Sequence, residues 1–161
     1  MLERAKETVF FHVGQDLQKY ITSRFQTYFD RLDNFRDSPT LIHADLSSDH
    51  FLIDPKERKL TGIFDFGDLQ ISDPDYEYTY IFEDCGEDIA CCVMELREAD
   101  HIEQRLKKVS FFVTADHLAT ILAGIDRKDQ IWIEEGIEAL RLQKHRSLLT
   151  VPSHQLKTAP L

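Results

Sequence analysis

From Leu17 through Ile21, Phe25, Tyr28, Leu32 and Phe35 the apolar side chains advance in steps of three and four, which puts them on one helical face. The spacing predicts a core helix ending at Asp37-Ser38-Pro39-Thr40, because Pro39 disfavours helical backbone at Ser38 and both Asp37 and Ser38 form turns readily. Three apolar runs follow, Leu41-Ile42, Phe51-Leu52-Ile53 and Leu60-Thr61-Gly62-Ile63-Phe64, each too short for a helix and bounded by polar or turn residues. They read as short strands, with Asp54-Pro55-Lys56-Glu57-Arg58-Lys59 as the hairpin connection between the last two. Beyond Pro74 the period is helical again: Ile102, Leu106, Val109 and Val113 form one stripe, Leu118, Ile121, Leu122 and Ile125 a second, and Ile133, Ile137 and Leu140 a third. The pattern predicts an α+β, mainly α-helical chain, with one compact unit over residues 1–150 and a loosely ordered tail over 151–161.

Composition narrows what such a chain does. At 161 residues and 42% hydrophobic content it can close one ordinary core. Nineteen basic against 29 acidic residues give a formal charge of -10, which argues against nucleic-acid binding and suits a cationic small-molecule ligand better. No unbroken apolar run reaches about 18 residues, so no membrane span is expected. Cys85, Cys91 and Cys92 form no CxxC pair and are expected as reduced, buried thiols, which points to the cytoplasm. From Asp65 to Glu103 there are 13 acidic residues and one basic residue, Arg97, so this stretch is expected to carry a negative potential.

The chemistry is concentrated in two motifs. His43-Ala44-Asp45-Leu46-Ser47-Ser48-Asp49-His50 precedes Gly62-Ile63-Phe64-Asp65-Phe66-Gly67-Asp68, and both fall at strand ends and in the loops between strands. An Asp followed at a distance by Asp-Phe-Gly has the order of the catalytic and metal loops of kinases, with His50 in the place of the usual Asn. A transition-metal hydrolase built from His43, Asp45, His50 and Asp65 is the lower-ranked alternative for these residues.

Together with Ile71-Ser72-Asp73-Pro74-Asp75-Tyr76, these motifs resemble the aminoglycoside phosphotransferases, and the histidine resembles those acting on the 2''-hydroxyl. The resemblance is strong over Leu41 to Tyr80 and implies the C-terminal lobe of the protein-kinase-like fold, with a few short strands carrying the loops. It implies that Asp45 accepts the substrate hydroxyl proton and that His43 braces the catalytic loop. It further implies that His50 and Asp65 hold Mg2+ on the phosphates of ATP or GTP, and that Asp68, Glu83 and Asp84 meet substrate amines. Related small-molecule kinases acting on choline or homoserine share the loops, so the acceptor stays open.

The resemblance also implies a nucleotide-binding lobe that this chain does not supply. Its six glycines never fall closer than five positions apart, so no GxGxxG loop can be written. Phosphate transfer by the chain alone is therefore expected to be weak. The alternative is a non-catalytic binding or interaction module, self-associating through the surface that such a lobe would cover.

Overall fold

The computed structural model describes residues 1–149, and the expected tail over 151–161 lies outside the described residues. In chain order the elements are α1 (Leu2–Thr8), α2 (Gln15–Phe29), β1 (Thr40–Ile42), β2 (Phe51–Asp54), β3 (Lys59–Ile63) and β4 (Gln70–Ser72). The helices α3 (Thr79–Cys85), α4 (Glu87–Leu96), α5 (Ile102–Arg127) and α6 (Gln130–Leu149) follow, and short 3-10 turns join several of these elements. The chain divides into two compact units: Met1–Arg24 with the segment from Thr114 onward, and Phe25–Val113. The helices α2 and α5 each begin in one unit and end in the other.

The first unit is helical. Its core is built from Ala5, Val9, Ile21, Leu118, Ile121 and Leu140, all fully buried. Gly136 of α6 lies so close to α5 that an added methyl would stand 2.6 Å from Ile121 Cγ1 and 3.0 Å from the His117 carbonyl oxygen. Gly124 of α5 is equally confined, 2.9 Å from Ile133 Cγ1. Only residues without a side chain allow backbones to approach this far. Thr114 donates to Gln143 Oε1 at 2.9 Å within the same packed region.

The second unit carries the strands. β1 pairs antiparallel with β4, Leu41 opposite Ile71, and β2 pairs antiparallel with β3 through a register shift at Leu52/Ile53. Its core is a cluster of Tyr78, Ile81, Ala90, Met94, Leu106 and Val109, and Leu46 and Phe51 pack against it. Tyr28 stacks on Phe111 at 3.8 Å and closes an aromatic group with Phe25.

Several sequence expectations are corrected. The apolar stripe that continues to Phe35 predicts a helix into Asp37, but α2 ends at Phe29 and a 3-10 turn covers Leu32–Phe35. The Asn34 side chain donates to the Tyr28 carbonyl at 2.8 Å, satisfying one of the acceptors left over at the helix end. Cys85 and Cys92 are exposed rather than buried, while Cys91 is half-buried and packs against the core cluster. The two stripes over 102–125 belong to one helix of 26 residues, long and apolar enough by length and composition to cross a membrane. The search for an unbroken apolar run did not find this helix because polar residues interrupt it. Leu106, Val109, Val113, Leu118 and Ile121 of this helix are buried within the protein, as in the core helix of a globular protein.

Candidate active site

β1 delivers the chain directly into His43-Ala44-Asp45, and the loop then turns through a 3-10 segment, Ser48–His50, into β2. The hairpin β2–β3 returns the chain to Asp65, so pairing of these strands brings the two motifs together. Leu46 ties the middle of the loop between β1 and β2 to the core. Ala44 and Asp65 both hold positive φ, at 67° and 61°. Neither is a glycine, and such backbone persists only where surrounding contacts over-determine it.

Those contacts are on view. Glu77 Oε2 accepts from the backbone N–H of His43 at 2.8 Å and of Ala44 at 3.1 Å. His43 is buried, its Nε2 lies 3.1 Å from the Phe64 carbonyl oxygen, and its ring packs against Phe66 with centroids 4.7 Å apart. A carbonyl only accepts, so Nε2 carries the proton and His43 links the loop it opens to the segment that leads into Asp65. Its other nitrogen, Nδ1, is also buried.

His50 stands between the two carboxylates. Its Nδ1 donates to the Asp45 carbonyl at 2.8 Å and lies 3.5 Å from Asp45 Oδ2, while Nε2 lies 3.7 Å from Asp65 Oδ2. The hydrogen bond to the Asp45 carbonyl raises the His50 pKa above the ordinary histidine value. Partial desolvation opposes that rise, and the charges of Asp45, Asp65 and Asp49 add to it. With Nδ1–H committed to a carbonyl, neutral His50 directs the Nε2 lone pair toward Asp65. The Asp65 carboxylate oxygen is a donor that suits a hard divalent cation such as Mg2+, and the facing imidazole nitrogen is the softer donor of the two.

A second group of carboxylates, Asp37, Asp73 and Asp75, also converges closely enough to hold a cation. The buried ammonium of Lys108 fills that place, at 3.3 Å from Asp37, 2.7 Å from Asp73 and 3.2 Å from Asp75. Burial alone would lower the Lys108 pKa, but the hydrogen bond to Asp73 and the Asp75 and Asp73 charges outweigh it and the net shift is upward. Arg105 adds a second cation, 2.6 Å from Asp75 Oδ1. Asp73 Oδ1 in turn accepts from Asp75 N–H at 3.0 Å, capping the turn that presents Glu77.

The three residues expected to meet substrate differ in their surroundings. Asp68 is exposed in the 3-10 turn Phe66–Asp68, and its carboxylate makes no hydrogen bond or ion pair among the described residues. Glu83 is half-buried on α3. Asp84, also on α3, accepts from the Ser48 N–H at 2.8 Å. Sequence reasoning did not single out Glu77, Arg105 or Lys108, whose partners lie some thirty or more positions away along the chain.

The family model of the phosphotransferase enzyme family matches residues 3–110. The chain belongs to this phosphotransferase family. Among solved structures it is similar to the GDP complex of wild-type aminoglycoside 2'-phosphotransferase-IIIa, with 44% identity and a TM-score of 0.87 over 90% of this chain and 49% of that one. It is likewise similar to the GDP and kanamycin complex of APH(2")-IIia, with 45% identity and a TM-score of 0.83, covering 89% of this chain and 49% of the other. The gentamicin complex of APH(2")-IIa shares the fold at 22% identity and a TM-score of 0.63. The chain thus spans about half the length of these phosphotransferases and has the kinase-like C-terminal lobe architecture that its motifs implied.

Proposed function

We propose that this chain is the acceptor-side half of a phosphotransferase that moves the γ-phosphate of GTP or ATP to a hydroxyl of an aminoglycoside. The observation that carries the reading is the row Asp45, His50 and Asp65, held by pairing of β2 with β3 and by the buried His43. Identity of 44–45% to proteins solved with GDP and with GDP and kanamycin supports a guanine nucleotide and an aminoglycoside acceptor over the other members of the class.

In this reading Asp45 accepts the proton of the attacking hydroxyl as its oxygen bonds to the γ-phosphorus and the bond to the β-phosphate oxygen breaks. His50 holds the Asp45 backbone through Nδ1–H and faces Asp65 with Nε2. His50 and Asp65 would hold Mg2+, which when bound neutralises charge on the phosphates. Asp68, whose carboxylate makes no hydrogen bond or ion pair among the described residues, offers its charge to the amines of a cationic acceptor, and Glu83 lies on α3 as a second carboxylate for them. A nucleotide donor and three free thiols suit the cytoplasm. The negative charge and the burial of α5 within the protein support a chain that binds neither nucleic acid nor membrane.

The test is kanamycin incubated with Mg2+ and GTP or ATP, with the chain alone and joined to the N-terminal half of the 44%-identical relative. Phosphorylated kanamycin formed only with donor and metal, weakly by the chain alone, is the expected result. No product from either protein contradicts the reading.

Exposed apolar side chains on the hairpin and metal loop, including Leu52, Ile53, Leu60 and Phe66, favour a second reading as a self-associating module. Sedimentation as a dimer, with no effect of nucleotide on melting, would support it.

A further inference from the structure

The backbone around Asp45 is anchored from two sides by carboxylates of the segment that follows the metal loop. Glu77 holds the entry to the loop at His43 and Ala44. On the exit side the turn Ser48–His50 begins at Ser47, whose side chain makes no capping hydrogen bond. The first N–H groups of such a turn have no partner within it. Asp84 Oδ2 supplies one, accepting from Ser48 N–H at 2.8 Å across 36 positions of sequence. We propose that Asp84 is a positioning residue of the catalytic loop, its carboxylate capping the Ser48–His50 turn from α3 rather than serving chiefly as a contact for substrate amines.

Capping at this point reaches the reacting groups through two short links. The capped turn contains His50, and His50 donates to the carbonyl of Asp45. Fixing the start of the turn therefore fixes the imidazole that faces Asp65 and the backbone that presents the Asp45 carboxylate. The brace itself is rigidly based, because α3 is seated in the core through Ile81 and Phe82, and Leu46 of the loop packs against the same cluster. A carboxylate on a backbone N–H is a charge-assisted bond, stronger than its neutral equivalent. The inference rests on the phosphotransferase reading for its consequence in catalysis, but the brace is a property of the folded chain.

Two substitutions separate positioning from amine binding. In Asp84→Asn the side-chain oxygen still accepts from Ser48 N–H but the charge is gone, and in Asp84→Ala both are lost. A positioning role needs the acceptor, whereas an amine-binding role needs the charge. Amide hydrogen exchange at Ser48 in the chain is expected to accelerate about tenfold in Asp84→Ala, as for loss of one hydrogen bond, and by a smaller factor in Asp84→Asn, which keeps the acceptor without the charge. With kanamycin as acceptor, Asp84→Ala is expected to lower kcat about tenfold with little change in KM, and Asp84→Asn to restore most of it. Equal Ser48 exchange in all three proteins, or a KM for kanamycin raised alike by both substitutions, would overturn the assignment. If wild type transfers no phosphate at all, the phosphotransferase reading fails, and Ser48 exchange alone still decides whether Asp84 braces the loop.

Discussion

Around Gly136 an added methyl would press into Ile121 and the His117 carbonyl, whereas around Lys108 one ammonium reaches three carboxylates. The unit formed by Met1–Arg24 and the segment from Thr114 is held by close contact of apolar helix faces. The unit Phe25–Val113 has an apolar core too, but the loops above it are held by charged groups reaching backbone N–H and one another. The difference follows from what each must do. Helices satisfy their own backbone groups, so tight packing suffices for them. Loops that present Asp45 and Asp65 leave backbone donors open, and carboxylates from elsewhere in the unit must meet them.

Breaking the charged side of the comparison is expected to cost most. Lys108→Ala leaves Asp75, fully buried, with one cation fewer and should lower unfolding stability by about 3–5 kcal/mol in chemical denaturation. A loss below about 1 kcal/mol would mean that Arg105 alone compensates Asp75.

A titration separates the units next. His117, 8% exposed in the helical unit, has its pKa pushed down to about 4 by burial. The unfolded chain binds the proton more readily, so the stability is whole above pH ~6.5 and is lost as pH falls from there toward 4. The loss attributable to this residue should reach roughly 3 kcal/mol. Replacing it in His117→Gln should flatten the pH dependence over that range, and an unchanged profile would remove His117 as its source.

The smallest effect sharpens the packed side. Gly136→Ala should cost about 1–3 kcal/mol from overpacking, since the helix has little room to yield. Gly14→Ala, where nothing lies within 4 Å of the added carbon, is the control and should stay within about 0.5 kcal/mol. Equal melting shifts in the two variants would contradict a close-packed seam at Gly136.

Sequence pattern made the helical stripes of α5 and α6 readable because their apolar residues repeat over several turns. The hairpin β2–β3 was equally plain, its two apolar runs flanking Asp54-Pro55 and a charged connection. β4 escaped because Gln70-Ile71-Ser72 is three residues long, carries one apolar side chain, and becomes a strand only by pairing with β1. The end of α2 escaped for the opposite reason, since Leu32 and Phe35 prolong the apolar period beyond the last helical residue. Motif order brought Asp45, His50 and Asp65 forward as a set, and the structure brings them within reach of each other. The residues that hold the loop in place left no local trace. Glu77 and Lys108 read as ordinary charges, and Asp84 as a contact for substrate amines, until the fold sets them beside backbone or carboxylates distant in sequence.

Everything proposed for the charged unit converges on the Asp45 carboxylate as proton acceptor. Its most direct measurement is the rate of phosphate transfer from GTP to kanamycin by the chain joined to the N-terminal half of its 44%-identical relative, with Asp45 intact and with Asp45→Asn. Loss of about 10²–10⁴ in kcat with KM for kanamycin little changed and melting unshifted is the predicted result. Transfer by Asp45→Asn at the unsubstituted rate would contradict it.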